Sequence, residues 1–140
     1  MKAEVEEAVF QLADGGPGRW VQFVEDDSGG AFVLVADVVV GTAFDPAETW
    51  FAFHITNLYP ESDVYPLFVD AGLRYIGEGP TPSQHPDGNL PERMTHGEFT
   101  ILGLTGVPAI QISRSSPRRN SETDSALNKL LRVIDWLENR

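Results

Sequence analysis

Residues 20–56, WVQFVEDDSGGAFVLVADVVVGTAFDPAETWFAFHIT, decide the fold of this chain. They contain three runs rich in β-branched and aromatic residues, which favour strands: WVQFVE (20–25), AFVLVADVVV (31–40) and TWFAFHIT (49–56). Two short segments separate the runs, and the first of them, DDSGG, has glycines that suit the positive φ of a tight turn. Strands joined by such short connections pair antiparallel. The stretch therefore predicts an antiparallel meander.

One helix is predicted before the meander and one after it. Val5, Ala8, Val9 and Leu12 have helical spacing within residues 3–12, although Val9 and Phe10 leave a strand as the alternative. The second helix is predicted to begin near Ser121, where SETD has the form of a capping box, and to run to residue 139. Its apolar stripe is expected to pack on the sheet. The stripe comprises Leu127, Leu130, Leu131, Ile134 and Leu137, widened by Ala126, Val133 and Trp136.

The segment between the meander and the second helix is irregular. Residues 57–91 contain six prolines and cannot form regular structure throughout. A fourth strand fits YPLFV (65–69) or LRYIG (73–77), and the short apolar runs GEFTILGL and VPAIQIS follow. We therefore expect one α+β domain over residues 1–140, with a four-stranded antiparallel sheet packed against helices.

Composition excludes several classes of function. The chain has no cysteine, which excludes a disulfide scaffold, a thiolate nucleophile and a cysteine-ligated metal. Its net charge of −11 argues against nucleic acid as a partner. The longest apolar run is about half a membrane span and contains Asp37, and the acidic N-terminus lacks the features of a secretory signal. We expect a cytoplasmic protein with no membrane partner, and no motif suggests a metal or cofactor.

The sequence SRSSPRR (113–119), here called the serine–arginine segment, concentrates positive charge on an acidic chain. It contains Arg114, Arg118 and Arg119, whereas residues 1–73 contain only Lys2 and Arg19 as basic residues. Such an island of charge favours docking of an acidic partner. A solvated loop is the alternative interpretation.

Three stretches in this order resemble the ubiquitin-conjugating enzyme superfamily: WFAFHITNLYPESDVYPLFV (50–69), QISR (111–114) and SALNKLLRVIDWL (125–137). The first is similar to the family's third strand and its Tyr-Pro…Pro segment, matched by Tyr59, Pro60 and Pro66. The likeness is greatest to bacterial members encoded beside ubiquitin-like proteins and activating enzymes. It implies a UBC-like fold, and a ubiquitin-like protein and a ubiquitin-activating-enzyme-like protein as partners.

The chain departs from that family at the cysteine that carries the modifier as a thioester. Counting back from the final helix, this cysteine would fall near residues 110–113, so the resemblance makes Ser113 the candidate carrier of an oxyester. A serine hydroxyl needs a base or strong oxyanion stabilisation for this chemistry, and Arg114 and Arg118 are the candidates to stabilise the developing negative charge. His85 and His96 are the candidate bases, while His54, on a strand, is interpreted as structural. The further candidates are Ser115 and Ser116 as neighbouring hydroxyls, and Arg114, Arg118, Arg119, Tyr59 and Pro60 as residues that bind the modifier.

The alternative is a catalytically inactive variant of the family. Such a protein would keep the fold and the docking surfaces and act as a binding or scaffold protein. The serines would then only cap and form turns.

Overall fold

Two helices and eight strands make up the part of the chain that the computed structural model describes, which is residues 1–77, 90–115 and 120–139. In chain order they are α1 (Ala3–Gly15), β1 (Trp20–Glu25), β2 (Ala31–Val39), β3 (Phe44–Asp45), β4 (Glu48–Ile55), β5 (Leu67–Asp70), β6 (Arg74–Tyr75), β7 (Met94–Ile101), β8 (Leu104–Ile112) and α2 (Ala126–Glu138).

The strands form a six-stranded sheet in the order β1-β2-β4-β5-β8-β7, and β3 pairs separately with β6. Every pairing is antiparallel, which confirms the predicted meander of β1, β2 and β4. The prediction of four strands is wrong. Both candidates for the fourth strand contain strands, β5 and β6, and the two later apolar runs belong to the long hairpin of β7 and β8.

The core lies between one face of the main sheet and the two helices. A row of four fully buried residues crosses β2, β4, β5 and β8 on this face: Val35, Phe51, Val69 and Ile110. Helix α1 contributes the four residues predicted from its spacing, all of which are buried. Burial of such side chains is the main term that stabilises a domain of this size.

Helix α2 begins one turn later than predicted. Its N-cap is Ser125, whose hydroxyl accepts a hydrogen bond from the amide of Asn128 (3.1 Å). The SETD residues form a turn instead, because the Asn120 carbonyl accepts the amides of Thr123 (3.1 Å) and Asp124 (2.7 Å). The helix therefore has 13 residues and a length of about 20 Å.

The buried face of α2 differs from the predicted stripe at two positions. Leu131, which was expected in the core, is 44% exposed. Lys129, which was not expected there, is buried. The residues of the stripe around them behave as predicted, since Leu130, Ile134 and Leu137 are buried.

Candidate partner-binding site

A buried lysine fixes the start of the serine–arginine segment against α2. The Nζ of Lys129 donates to a carboxylate oxygen of Asp63 (2.9 Å) and to the carbonyl oxygen of Arg114 (2.6 Å). The Tyr65 ring centre lies 5.8 Å from the same nitrogen. Burial lowers the pKa of Lys129 below its ordinary value, while the Asp63 carboxylate opposes this shift. The backbone at Arg114 is thus held by a contact that joins three segments of the chain.

The anchored Arg114 directs its side chain along α2. Its guanidinium carbon lies 5.1 Å from the centre of the Trp136 ring, which is a cation–π arrangement. This pair forms part of an open groove of about 670 Å³, and we call it the Arg114 groove. The exposed Leu131 supplies apolar surface beside the charged group. The lining residues are Arg114, Leu131, Arg132, Asp135, Trp136 and Asn139.

The two cations of the groove differ in their availability to a partner. Arg132 forms an ion pair with Asp124 (2.8 Å). Arg114 has no carboxylate within ion-pair distance among the described residues. The acidic residue of the groove is Asp135, whose carboxylate accepts a hydrogen bond from the Asn139 side chain. Arg114 is therefore the cation that this groove offers to an incoming anion.

Ser113, the candidate carrier, lies directly after β8 and is half-buried. Its amide donates to the carbonyl of Arg93 (2.8 Å), and its Oγ accepts a hydrogen bond from the Gln111 side chain (2.9 Å). That bond leaves the hydroxyl proton on the serine, whereas a nucleophilic serine needs a base to accept it. Within the described segments, the contacts of Ser113 position its side chain and include no base.

The structure does not bring His96, a candidate base, to Ser113. His96 lies on β7 and pairs with Ile110 of β8. Ile110 is three residues before Ser113, so His96 is displaced from Ser113 by about 10 Å along the strands. Alternation along β8 also places Ile110 on the opposite face from Gln111, the side-chain partner of Ser113. Ser115 is exposed. The remaining candidates Ser116, His85, Arg118 and Arg119 lie outside the described residues.

Tyr59 and Pro60, predicted to bind the modifier, lie at the other end of α2. The buried Tyr59 hydroxyl accepts a hydrogen bond from the amide of Ala126 (3.2 Å), so it supports the first turn of the helix. Tyr59 and Pro60 also line a cleft of about 380 Å³ between α1 and residues 121–125. The predicted binding residues that are described therefore divide between this cleft and the Arg114 groove.

An aspartate–histidine pair was missed by the sequence reasoning. His54 Nε2 lies 2.6 Å from Asp26 Oδ2, and the other Asp26 oxygen accepts the amides of Ser28 (2.8 Å) and Gly30 (2.9 Å). Burial acts to raise the pKa of Asp26, but the hydrogen bonds from His54 and the two amides outweigh it and lower that pKa below its ordinary value. The His54 ring stacks on Phe32 at 4.3 Å. The pair ties β4 to the β1–β2 turn.

No family model, no curated protein and no solved structure matches this chain. Neither helix of the described segments is long and apolar enough to cross a membrane. Within those segments, no three histidine or carboxylate side chains are grouped as a metal site would require. The functional argument therefore rests on the Arg114 groove and on the sequence resemblance.

Proposed function

We propose that the protein is a binding component of a bacterial, cytoplasmic ubiquitin-like conjugation pathway, and that the Arg114 groove docks the ubiquitin-like protein or its activating enzyme. The observation that carries this proposal is the position of Arg114. Its guanidinium lies over Trp136, no described carboxylate pairs with it, and the exposed Leu131 lies in the same groove. An arginine of this kind binds a carboxylate through two parallel hydrogen bonds.

The assignment to a conjugation pathway rests on the sequence resemblance, and the order of the helices and strands is compatible with that resemblance. A helix, an antiparallel meander, a segment with Tyr-Pro…Pro and a final helix follow one another. The hairpin of β7 and β8 adds two strands to the sheet that the resemblance implies. A UBC-like arrangement of the whole domain is therefore part of the proposal.

Binding is favoured over transfer because the described contacts of Ser113 offer no base. The Ser113 hydroxyl accepts a hydrogen bond from the Gln111 side chain. His96 pairs with Ile110, three residues away from Ser113 along β8. The Lys129 contact, in contrast, holds the backbone of Arg114 in one position. A fixed cation loses less conformational entropy on binding than a mobile one. The geometry thus supports the docking role of the family more than its acyl-carrier role.

The groove combines two kinds of surface, and this combination defines the segment that fits it. Arg114 suits a carboxylate, either of an acidic side chain or of a chain terminus. The 44% exposed Leu131 suits an aliphatic side chain next to that carboxylate. Because the chain carries a net charge of −11, an acidic partner is repelled at long range and attracted only locally.

The test is a calorimetric titration with the ubiquitin-like protein and, separately, with the activating enzyme. We expect Arg114→Glu to weaken the binding of at least one of them by about tenfold or more, since a charge-assisted hydrogen bond is lost. The matched control is Arg74→Glu, the same charge change at an exposed site on β6, and it should leave affinity unchanged. Equal affinities of the wild type and Arg114→Glu for both partners, or no binding by the wild type, would refute the proposal.

A further inference from the structure

Strand β1 forms one edge of the main sheet and exposes apolar side chains there. Trp20, Phe23 and Val24 are 50%, 45% and 40% exposed. The other edge, β7, instead exposes the polar stretch from Thr95 to Glu98. Edge strands of monomeric proteins are normally protected by charge, proline or a covering element. In the described part of the chain, β1 contains no proline and no strand covers its outer side, and its one charged residue, Glu25, lies at its end.

Among the described residues, the outer backbone groups of β1 have no strand partner. The amide of Asp26 donates to the carbonyl of Gly30 across the turn (3.2 Å), so alternate residues before it also direct their amides toward β2. The residues between them, Val21 and Phe23, direct their amides away from the sheet. No strand among the described residues pairs with that side of β1. A further strand could therefore extend the sheet here.

We propose that this strand is β1 of a second copy of the chain, which forms an antiparallel homodimer about a two-fold axis through Gln22. In this register Trp20 lies opposite the partner's Val24, and Val21 lies opposite the partner's Phe23. The apolar side chains that each monomer exposes are then covered by one another on both faces of the sheet. The dimer does not depend on the Arg114 groove, which lies on α2.

Charge complementarity selects this register. It brings the partner's Glu25 close to Arg19, twice in the dimer. Arg19 directly precedes β1, its amide donates to the Ala36 carbonyl (2.8 Å) and its side chain is exposed. It is one of two basic residues before Arg74. The N-terminal amine contacts Oε1 of Glu25, which leaves Oε2 for a second cation. An axis through Phe23 would instead place Trp20 opposite the partner's Asp26, whose carboxylate is already hydrogen-bonded to His54. Of these two axes, the one through Gln22 joins apolar residues to apolar residues and brings opposite charges together.

The test is sedimentation velocity of the full chain over a range of micromolar concentrations. The wild type should sediment with twice the monomer mass of 15.4 kDa. Phe23→Lys should be monomeric, because it places a charge on the shared edge. Arg19→Glu should raise the dimer dissociation constant by about tenfold. The double variant with Glu25→Arg should recover the dimer, because the opposite charges again lie across from each other.

Controls separate this dimer from other outcomes. His96→Lys on the β7 edge should leave the dimer intact, and circular dichroism should show that every variant is folded. A monomeric wild type at all concentrations would overturn the proposal. So would a dimer that Phe23→Lys and Arg19→Glu both leave intact, or a β1 edge that a different protein occupies instead of a second copy.

Discussion

Replacing Lys129 by methionine tests the contact that positions the Arg114 groove. Methionine keeps the apolar stem of the side chain but removes the ammonium, so the hydrogen bonds to Asp63 (2.9 Å) and to the Arg114 carbonyl (2.6 Å) are lost. Each charge-assisted hydrogen bond contributes about 1.5–3 kcal/mol. The desolvation that lowers the pKa of Lys129 is recovered and offsets part of this loss.

We therefore expect Lys129→Met to reduce the free energy of unfolding by about 3 kcal/mol, within the range for removal of one partner of a buried ion pair. For a chain of this length that corresponds to a fall in Tm of about 10 °C. Urea denaturation followed by tryptophan fluorescence gives the free energy, and a thermal scan gives the Tm. The variant should also bind the partner more weakly, because the backbone of Arg114 is no longer held.

The control for this experiment lies three residues further along α2. Arg132 also forms an ion pair with an aspartate, Asp124 (2.8 Å), but its side chain is 49% exposed. Exposed ion pairs contribute about 0.2–1 kcal/mol, so Arg132→Met should change the free energy of unfolding by no more than that. Equal losses for Lys129→Met and Arg132→Met, or no loss for Lys129→Met, would refute the view that Lys129 is a buried anchor.

Three further predictions follow. Because the folded-state pKa of Asp26 lies below its ordinary value of 3.8, its contribution to stability is present above that value and is lost as pH falls through the folded pKa. Asp26→Asn should thus destabilise the protein at pH 7 in thermal scans, and its deficit should shrink below pH of about 4; a deficit that is constant with pH would contradict this. Leu130→Asp should unfold or aggregate the protein, since that side chain is fully buried. Leu131→Asp, at an exposed position, should keep the wild-type Tm to within a few degrees. A larger loss for Leu131→Asp than for Leu130→Asp would mean that the opposite face of α2 packs on the core. Intact-mass spectrometry after incubation with activating enzyme, modifier and nucleotide should show no adduct on Ser113. A base-labile, reductant-stable adduct that Ser113→Ala abolishes would instead support the role of Ser113 as an acyl carrier.

Local periodicity in the sequence was sufficient to predict helix α1 and strands β1, β2 and β4. Helix α1 has apolar residues at helical spacing, and the three strands are continuous runs of β-branched and aromatic residues. Glycine-containing segments follow α1, β1 and β2, whereas β4 leads into the Tyr-Pro segment. The hairpin of β7 and β8 was missed for a local reason. Its turn consists of Leu102 and Gly103, which both have positive φ (50° and 85°), and leucine at the first position is not a hairpin signal.

The binding site depends on contacts between distant residues, and sequence patterns do not show such contacts. The position of Arg114 was predicted as part of a basic loop, but its placement over Trp136 depends on Lys129. Lys129 in turn pairs with Asp63, 66 residues away in the chain. A lysine within an amphipathic helix is normally interpreted as an exposed residue. The start of α2 was misplaced because Ser121 and Ser125 are both acceptable caps, and tertiary contacts such as that of Tyr59 favour the second.

The most direct test of the proposed function is an NMR titration of the ¹⁵N-labelled protein with the unlabelled ubiquitin-like protein or activating enzyme. The chain has three tryptophans, so three indole N–H signals report on three places: Trp136 in the Arg114 groove, Trp20 on β1 and Trp50 on β4. Our account predicts that the Trp136 signal shifts or broadens as the partner is added, that Trp20 and Trp50 do not change, and that Arg114→Glu abolishes the effect. An unchanged Trp136 signal while the partner binds elsewhere on the chain would contradict it.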